Sequence, residues 1–491
     1  MSSSTIVDAA SDGRDMQRAW RASPTPRKGF RTSAPSTRRI PRPRTACTAD
    51  RESYDPRMPV PPAPLTPGYR ETPLWHEAVA RPLVQDPGPP PRDADVVVIG
   101  GGYCGLTAAA ELARRGRHVV VLEAGELGES GASTRNGGMV IPELKHGVRA
   151  LTRRYGALGW ELARSVFDAC ALVGRIIERE AIDCDFAPTG GLLLAHHTAQ
   201  VESLRDAERE WVDDLCAGAR FVPRQELREE IGSSEYVAGL VMDDVAAIQP
   251  AKYHAGLVRR AVASGAVLCD RTRADVLEPR SHGGWRVATT RGVVHAGDVL
   301  VATNAYSDGL VPQLARRVLP IGSYIIATPP LDESLRRELI PNRRMVFDTR
   351  HLLAYWRYSP DGRMVFGGRT SLVPMTVARA RDLLYQELIR IHPQLEGWPI
   401  DFAWGGSVAI TRDRLPHFGR IDGVAYATGC NGTGIALATW FGERAACWLL
   451  GEEPPPAFAQ LKFPTIPAHR LRSAYLPAAG AAMRALDRLG R

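Results

Sequence analysis

An apolar strand, a glycine-rich turn and a helix follow one another without interruption in the segment DVVVIGGGYCGLTAAAELARRG, which begins at Asp95. A second apolar strand, RHVVVLEAG, comes directly afterwards and ends in Glu123. Short runs of valine bounded by glycine are typical of parallel strands buried on both faces, and the alanine-rich stretch between them has the length of a crossover helix. The chain is therefore expected to contain an α/β domain with a parallel sheet.

The turn itself has the spacing G-x-G-x-x-G, formed by Gly100, Gly102 and Gly105. The first glycine of such a turn permits the tight bend, the second lets the backbone approach a pyrophosphate, and the third lets the helix pack on the strand. The helix N-terminus then offers N–H groups to the phosphates. Glu123 would accept hydrogen bonds from a ribose and disfavours a 2′-phosphate. This pattern predicts a dinucleotide other than NADP, and leaves NAD and FAD open.

Two further glycine-rich segments lie outside the G-x-G-x-x-G motif. One is GASTRNGGMV, from Gly131 to Val140, which follows the acid-terminated strand. Its small residues and its Arg–Asn pair suit a backbone that passes closely over a flat ligand, although an ordinary loop has a similar composition. The other is GVAYATGCNGTGIALATWFGERAA, from Gly423 to Ala446, which again reads as strand, turn and helix. These residues alone leave open whether the chain holds two ligands or one long one.

Several pieces of the chain occur in the order and spacing of a known family: DVVVIGGGYCGL, VLEAG, GASTRNGG, GDVLVATNAYS, FGGRT and WGGSVAITRDRLPHFGRIDGVAYATGCNGTGIALA. The chain resembles the FAD-dependent amine and D-amino acid oxidoreductases of the glycine and sarcosine oxidase type (the DAO family), and within it the γ-glutamylputrescine oxidoreductase group. The resemblance implies an α/β (α+β) fold in which a Rossmann-like FAD-binding domain is interleaved with a substrate domain built on a mixed antiparallel sheet. The expected segments are 93–147, 246–310 and 402–452 for FAD, 148–245 and 311–401 for substrate, and 453–491 for a C-terminal tail with a short helix.

The same resemblance implies which residues hold FAD. The two glycine-rich ends then belong to one site, with the pyrophosphate at the first and the flavin ring at the second. The helix that starts near Thr433 is expected to point its N-terminus at the N1–C2=O edge of the flavin. The expected cofactor-binding residues are Gly100, Gly102, Gly105, Glu123, Ser133, Arg135, Asn136, Gly137, Gly138, Val276, Ala302, Thr303, Gly406, Gly429, Asn431, Gly432, Thr433 and Gly434.

The flavin is expected to be bound non-covalently. Some members of the family attach it to a cysteine just before the C-terminal motif, where this chain has Trp404-Gly405-Gly406-Ser407. Cys430 is expected to fill a small site beside the ring. The family's more usual Ser-Gly-His-Gly turn is replaced here by Asn431-Gly432-Thr433-Gly434, so no role is carried over for the histidine.

The substrate face is expected on the hairpin Leu352–Gly368. Side chains alternate along a strand, so Tyr355 and Arg357 should share one face, with Trp356 on the other. Arg357 could bind a substrate carboxylate through its planar fork and Tyr355 could form a wall of the pocket, although a surface arginine beside a core tyrosine fits the pattern as well. Trp404 is expected either to flank the flavin or to lie in the core. No catalytic base or other catalytic residue is assigned, because the cofactor carries the redox chemistry.

The resulting prediction is an FAD-dependent oxidoreductase that oxidises the C–N bond of an amine or amino acid, γ-glutamylputrescine-like or sarcosine-like, to an imine that hydrolyses. The electron acceptor is O2 or a quinone. Three alternatives remain: a D-amino acid dehydrogenase that passes electrons to a quinone, a flavin-dependent RNA-modification enzyme, and a non-enzymatic FAD-binding protein.

Charge and composition limit the remaining possibilities. The net charge is +8, but residues 1–57 alone carry +6, so a basic nucleic-acid-binding face is not expected on the body of the protein. No apolar run is long enough for a stable membrane insertion. The eight cysteines show neither disulfide nor zinc spacing, which predicts a cytoplasmic protein without a metal site. Residues 1–92 are rich in Pro, Ser, Arg and Ala and are expected to be a mostly disordered extension, apart from a short docked helix in ETPLWHEAVARP.

Overall fold

The structure is a computed structural model that describes residues 60–84, 88–307, 309–369 and 371–490. The first 59 residues of the predicted extension therefore lie outside the described residues. Helices and strands are numbered here in chain order. The helices are α1 (Tyr103–Arg114), α2 (Val148–Tyr155), α3 (Ala157–Arg179), α4 (Val201–Arg209), α5 (Pro250–Ala263), α6 (Pro312–Ala315), α7 (Glu333–Leu339), α8 (Val377–Ile391), α9 (Gly434–Leu449) and α10 (Arg472–Arg488).

The strands form two large sheets and one small one. The nine-stranded sheet has the order β1-β17-β13-β16-β15-β14-β5-β7-β6, the eight-stranded sheet contains β2, β3, β9 to β12, β18 and β19, and β4 pairs with β8. The strands are β1 (Leu65–Arg70), β2 (Asp93–Ile99), β3 (Val119–Leu122), β4 (Met139–Val140), β5 (Gly191–Ala195), β6 (Ala219–Pro223), β7 (Ala238–Met242), β8 (Ala246–Ala247), β9 (Val267–Cys269), β10 (Ala274–Pro279), β11 (Trp285–Thr289), β12 (Gly292–Val301), β13 (Val318–Pro330), β14 (Met345–Asp348), β15 (Ala354–Tyr358), β16 (Arg363–Gly368), β17 (Ile400–Thr411), β18 (His417–Ile421) and β19 (Val424–Thr428).

The eight-stranded sheet has a parallel centre. The strands β19, β12, β2, β3 and β9 run side by side and parallel, in that order, while β10, β11 and β18 extend the sheet with antiparallel pairs. The valines of β2 and β3 are fully or almost fully buried, as expected for strands covered on both faces. On one side α1 packs against α5 and α9. The predicted parallel α/β unit is confirmed.

The nine-stranded sheet is mixed, as predicted for the substrate side. Its most extensive strand pairing is the antiparallel pair β13–β17. The predicted hairpin is present as the antiparallel pair β15–β16. Trp356 and Phe366 lie opposite each other in the hairpin and are fully buried in the apolar core beneath α8. The predicted alternation along β15 is therefore present, with Trp356 on the core face and Tyr355 on the face toward the parallel sheet.

Two sequence expectations differ from the structure at segment ends. Residues 65–70 form β1, which pairs with β17, so the expected mostly disordered extension does not reach residue 92. The short helix expected in ETPLWHEAVARP is present as a 3₁₀ helix, residues 74–78. The expected boundary at residue 402 also differs, because the whole of β17 pairs within the nine-stranded sheet. Both differences come from pairings between residues far apart in sequence. The division into two interleaved domains otherwise stays a prediction.

None of the helices within the described ranges combines the length and the apolar character that crossing a membrane requires.

Candidate cofactor and substrate site

A cavity of about 430 Å³ lies at the carboxyl edge of the parallel sheet and continues to the hairpin of the nine-stranded sheet. Its walls include residues at the carboxyl ends of four of the parallel strands: Gly100, Glu123 and Ala302 directly follow β2, β3 and β12, and Cys430 lies two residues after β19. Parallel strands present their carboxyl ends at one edge, which is where open α/β sheets bind ligands. The strand order therefore gathers loops that are hundreds of residues apart in sequence.

The first glycine turn is shaped by close backbone approaches. Gly100 has φ +109°, a conformation that favours glycine, and a Cβ built on Gly105 would lie 1.9 Å from the carbonyl oxygen of Gly100. α1 can thus start directly beneath the turn. The cap residue of this helix, Gly102, makes no side-chain hydrogen bond, and its first turn carries no acidic residue. The N-terminus of α1 is therefore suited to an anionic group.

The carboxylate of Glu123 already accepts hydrogen bonds from the loops around it. Its Oε2 accepts a hydrogen bond from the backbone N–H of Gly101 at 2.8 Å, and its Oε1 accepts from the backbone of Gly125 at 3.1 Å and from Ser130 Oγ at 3.0 Å. These contacts fix the carboxylate at the wall of the cavity. An ionised carboxylate has further lone pairs, so it can still accept from a ribose hydroxyl.

The segment 131–138 is held by its own side chains. Asn136 donates to the carbonyl oxygens of Ala132 and Ser133 at 3.1 and 3.0 Å, and its Oδ1 accepts from the backbone N–H of Gly138 at 2.8 Å. A Cβ on Gly137 would lie 2.8 Å from the ring of Tyr355. The segment is therefore a fixed layer between the parallel sheet and the hairpin rather than an ordinary surface loop.

The C-terminal glycine turn lies at the other end of the same wall. Asn431 has φ +52° and is fixed by hydrogen bonds with Thr411, while α9 begins at Gly434 without a side-chain cap at Thr433. Cys430 is buried on the cavity wall, and burial raises the pKa of its thiol to about 12. The thiol is therefore protonated at neutral pH and is a weak nucleophile.

The shape of this site fits FAD. The cavity extends from the N-terminus of α1, where the N–H of Tyr103 donates to Ser133 Oγ at 3.2 Å, to the N-terminus of α9, which has no side-chain cap. Glu123 lies beside the first of these ends. The backbone approaches at Gly100 and Gly105 leave no room for side chains, as a pyrophosphate-binding turn requires. The residues present could therefore hold the ADP half at α1 and a flat ring near α9.

Most of the predicted cofactor residues line this cavity: Gly100, Gly102, Glu123, Ser133, Arg135, Asn136, Gly137, Ala302, Thr303, Gly406, Gly432, Thr433 and Gly434. Five do not. Gly105, Gly138, Gly429 and Asn431 shape the backbone behind the wall, and Val276 is 42% exposed on β10 while Arg273 and Ala274 line the cavity instead.

Tyr355 is the member of the predicted substrate face that reaches the cavity. Its hydroxyl lies 3.2 Å from Ser323 Oγ, and burial raises its pKa. Its ring fills the space above Gly137 and Gly367. Tyr355 therefore forms a firm wall between the segment 131–138 and the hairpin.

Arg357 and Trp404 lie behind that wall rather than on it. Arg357 is buried, donates to the carbonyl oxygen of Ile248 at 2.7 Å and stacks on Trp75. Trp404 donates its indole N–H to the carbonyl oxygen of Arg135 at 2.9 Å. Of the two alternatives for Trp404, the structure agrees with a place in the core, since its side chain is buried in an apolar cluster and does not line the cavity. Arg357 does not line the cavity either, and it is buried rather than on the surface.

Arg369 is a buried cation on the cavity wall that no sequence motif had indicated. It directly follows β16, is 9% exposed and lines the cavity. The hydrogen bond described for its guanidinium runs to the carbonyl oxygen of Asn431 at 3.4 Å, and no ion pair of Arg369 is found within the described part of the chain. Burial lowers its pKa. The sequence feature that could have indicated Arg369 is its position directly after the two glycines of FGGRT.

The substrate end of the cavity carries two further charged side chains. Glu143 and Lys145 form an ion pair at 3.2 Å and both line the cavity. Since that pair is internally neutral, the buried charge of Arg369 leaves this end of the cavity positive. Within the described ranges, no group of three His, Cys, Asp or Glu side chains could hold a metal ion.

Comparison with known proteins agrees with this geometry. The family described as FAD dependent oxidoreductase (DAO) matches residues 95–448. The chain is 33% identical to the γ-glutamylputrescine oxidoreductase of Escherichia coli (strain K12), over 81% of this chain and 93% of that protein, and 36% identical to a probable oxidoreductase, OrdL, of Rhizobium meliloti (strain 1021), over 84% and 96%.

Solved structures show the same fold. The crystal structure of glycine oxidase from Geobacillus kaustophilus superposes with a TM-score of 0.64 at 21% identity, over 77% of this chain and 99% of that one. The resemblance inferred from the sequence motifs is thus confirmed over most of the described chain. This protein belongs to the DAO family of FAD dependent oxidoreductases.

Proposed function

We propose that the protein oxidises the C–N bond of an amine or amino acid that also carries a carboxylate. The observation that carries the proposal is Arg369, a buried guanidinium on the cavity wall with no ion pair among the described residues. The γ-glutamylputrescine-like and sarcosine-like substrates expected from the sequence both satisfy this requirement.

Burying a charged group without a partner has a large energetic cost. Removing a guanidinium from water costs several kcal/mol unless an anion or a full set of hydrogen bonds compensates. Arg369 makes one long hydrogen bond to a carbonyl, and its remaining N–H groups face the cavity, where an anion can reach them. A substrate carboxylate matches the planar fork of arginine with two parallel hydrogen bonds, so binding of the substrate would supply the missing partner.

When bound along α1 and α9, FAD, the cofactor of this family, would supply the two-electron oxidation of the C–N bond, and water would hydrolyse the imine to a carbonyl product and the free amine. The chain's own residues bind and orient. Arg369 would hold the carboxylate, and Tyr355 would limit the position of the substrate from the side of the hairpin. The positive field at this end disfavours an ammonium, so the amine is expected to react in its neutral form.

Pairs of amines that differ only in a carboxylate test the proposal. N-methylglycine and dimethylamine form one such pair, and an α-amino acid and its decarboxylated amine form another. The carboxylated member of each reactive pair is expected to have a kcat/KM at least about 100-fold higher, which corresponds to one buried charge pair. Equal kcat/KM values within the pairs would contradict the role given to Arg369.

The flavin is predicted to be bound non-covalently. The thiol of Cys430 is protonated at neutral pH, and the segment Trp404–Ser407 offers no cysteine for attachment. After precipitation of the purified holoprotein with acid, all flavin should appear in the supernatant. Flavin that stays with the pellet in the native protein, and is released in Cys430→Ser, would instead identify Cys430 as the attachment site.

The remaining assignments belong to this proposal. The electrons pass to O2 or to a quinone, which stopped-flow reoxidation with each acceptor distinguishes. Neither nucleic-acid binding nor stable membrane insertion is part of the function, in line with the weakly charged body of the protein. A cytoplasmic location is supported by the free state of the cysteines in the described residues, of which only Cys216 is exposed.

A further inference from the structure

A second cavity of about 220 Å³ adjoins the substrate end of the first. Glu143, Lys145 and Phe347 line both cavities. The two spaces are therefore neighbours that share one wall, formed by an ion pair on one side and an aromatic ring on the other.

The second cavity is predominantly apolar. Its charged and polar lining consists of Glu143, Lys145, His146 and Glu210. Glu210 is partly buried and accepts hydrogen bonds from the backbone N–H groups of Val148 and Arg149 at the N-terminus of α2, so it serves the helix rather than the cavity. The apolar lining comes from α3, α4 and the nine-stranded sheet: Ala163, Val166, Phe167, Leu193, Ala207, Trp211, Leu215, Leu240, Met242 and Phe347.

A π-helical turn, Glu210–Asp214, shapes one side of this space. Such turns interrupt a regular helix at an energetic cost and are frequent at functional sites. Here the turn follows α4 directly and carries Trp211, which lies edge to face with Phe167 at 5.3 Å between the ring centres. Two aromatic rings thus form the floor of the second cavity.

The route between the cavities starts at the proposed carboxylate site. Arg369 and Tyr355 line the first cavity, and Tyr355 on β15 pairs directly with Phe347 on β14. Phe347 then faces the second cavity. Phe347 therefore stands between the carboxylate site and the second cavity, and a chain that leaves Arg369 along Tyr355 has to pass this ring to enter the second cavity.

We propose that the second cavity is a substrate subsite that receives an unbranched apolar chain from a substrate whose carboxylate is held by Arg369. The class of substrate is an amino acid or N-alkylated amino acid with a long alkyl substituent. This inference rests on the proposed function, since it uses the same site and the same anchoring group. It adds a preference for chain length that neither the anchor nor the cofactor imposes.

Straight-chain monocarboxylates test the subsite without any reaction. They are titrated into the oxidised holoprotein, and binding is measured from the change in flavin absorbance. Affinity is expected to rise about fourfold for each added methylene until the second cavity is filled, and then to stop rising. An affinity that does not depend on chain length overturns the proposal, whatever the variants below show.

Two variants on the same helix locate the effect. Ala207 lines the second cavity, whereas Ser203 is exposed on α4. Ala207→Phe is expected to abolish the gain from chain length, so that the ratio of long-chain to short-chain affinity falls by more than about tenfold. Ser203→Phe adds a similar bulk and should keep the native ratio. The same loss in both variants, or an unchanged ratio in Ala207→Phe, overturns the assignment.

The outcome separates this inference from the proposed function. If long carboxylates bind tightly but no amine reduces the flavin, the subsite stands and the proposed oxidation fails. If carboxylated amines are oxidised with no preference for chain length, the oxidation stands and the subsite is wrong.

Discussion

Arg369→Ala is expected to lower kcat/KM for carboxylated amines about 100-fold or more, because it removes the buried cation that the substrate anion would pair with. The same variant should leave the reaction of amines without a carboxylate close to its native rate. Arg369→Lys should give an intermediate loss, since an ammonium supplies the charge without the planar fork. Steady-state kinetics with the paired amines measure all three effects.

Arg357 offers the matched control. It is buried like Arg369 and lies on the same side of the hairpin, but the segment 131–138 separates it from the cavity. Arg357→Lys should therefore alter stability without changing the preference for carboxylated amines. If Arg357→Lys loses that preference and Arg369→Ala keeps it, the assignment of the anchor is wrong. The flavin spectrum of each variant shows whether the hydrogen bond from Arg369 to Asn431 matters for cofactor binding.

Gly105→Ala is expected to weaken FAD binding about tenfold or more. The added Cβ would lie 1.9 Å from the backbone oxygen of Gly100, so α1 must move away from the turn that receives the pyrophosphate. Forcing an extra carbon into such a contact costs about 1–3 kcal/mol. Release of FAD on dilution, followed by flavin fluorescence, gives the dissociation constant.

A second helical glycine controls for the general effect of the substitution. Gly174 lies within α3, and a Cβ built there meets no other atom within 4 Å. Gly174→Ala should therefore stabilise the protein by about 0.5–1 kcal/mol and leave FAD affinity unchanged. Equal FAD affinity in the two variants would show that the close approach at Gly105 is not needed for the cofactor.

The cofactor half of the molecule could be predicted well because its signals are local. The spacing of Gly100, Gly102 and Gly105, with an acid at the end of the next strand, determines both the turn and the helix that follows. The family resemblance then joined this turn to the distant segment around Gly432. The assignment of Val276, which was made for main-chain groups near the adenine, stays a prediction. Val276 does not line the cavity, and the register of β10 with β11, which no local pattern determines, places Ala274 there instead.

The arrangement of the substrate half could be predicted only in part from the sequence. Alternation along β15 correctly separated Tyr355 from Trp356, but it could not show that the segment 131–138 covers Arg357. Likewise, nothing local shows that β1 pairs with β17, about 330 residues further along the chain, because such pairings arise only in the folded sheet. Arg369 follows the last residue of β16, where alternation no longer predicts direction.

An anaerobic flavin titration tests the central claim most directly. The purified protein, loaded with FAD, is mixed without oxygen with carboxylated amines, and the flavin absorbance is followed together with the amine product. A yellow protein is expected, whose flavin is bleached by at least one carboxylated amine, with one equivalent of imine-derived carbonyl product per flavin. A protein that takes up no FAD, or a bound flavin that dithionite reduces but no amine does, would contradict it.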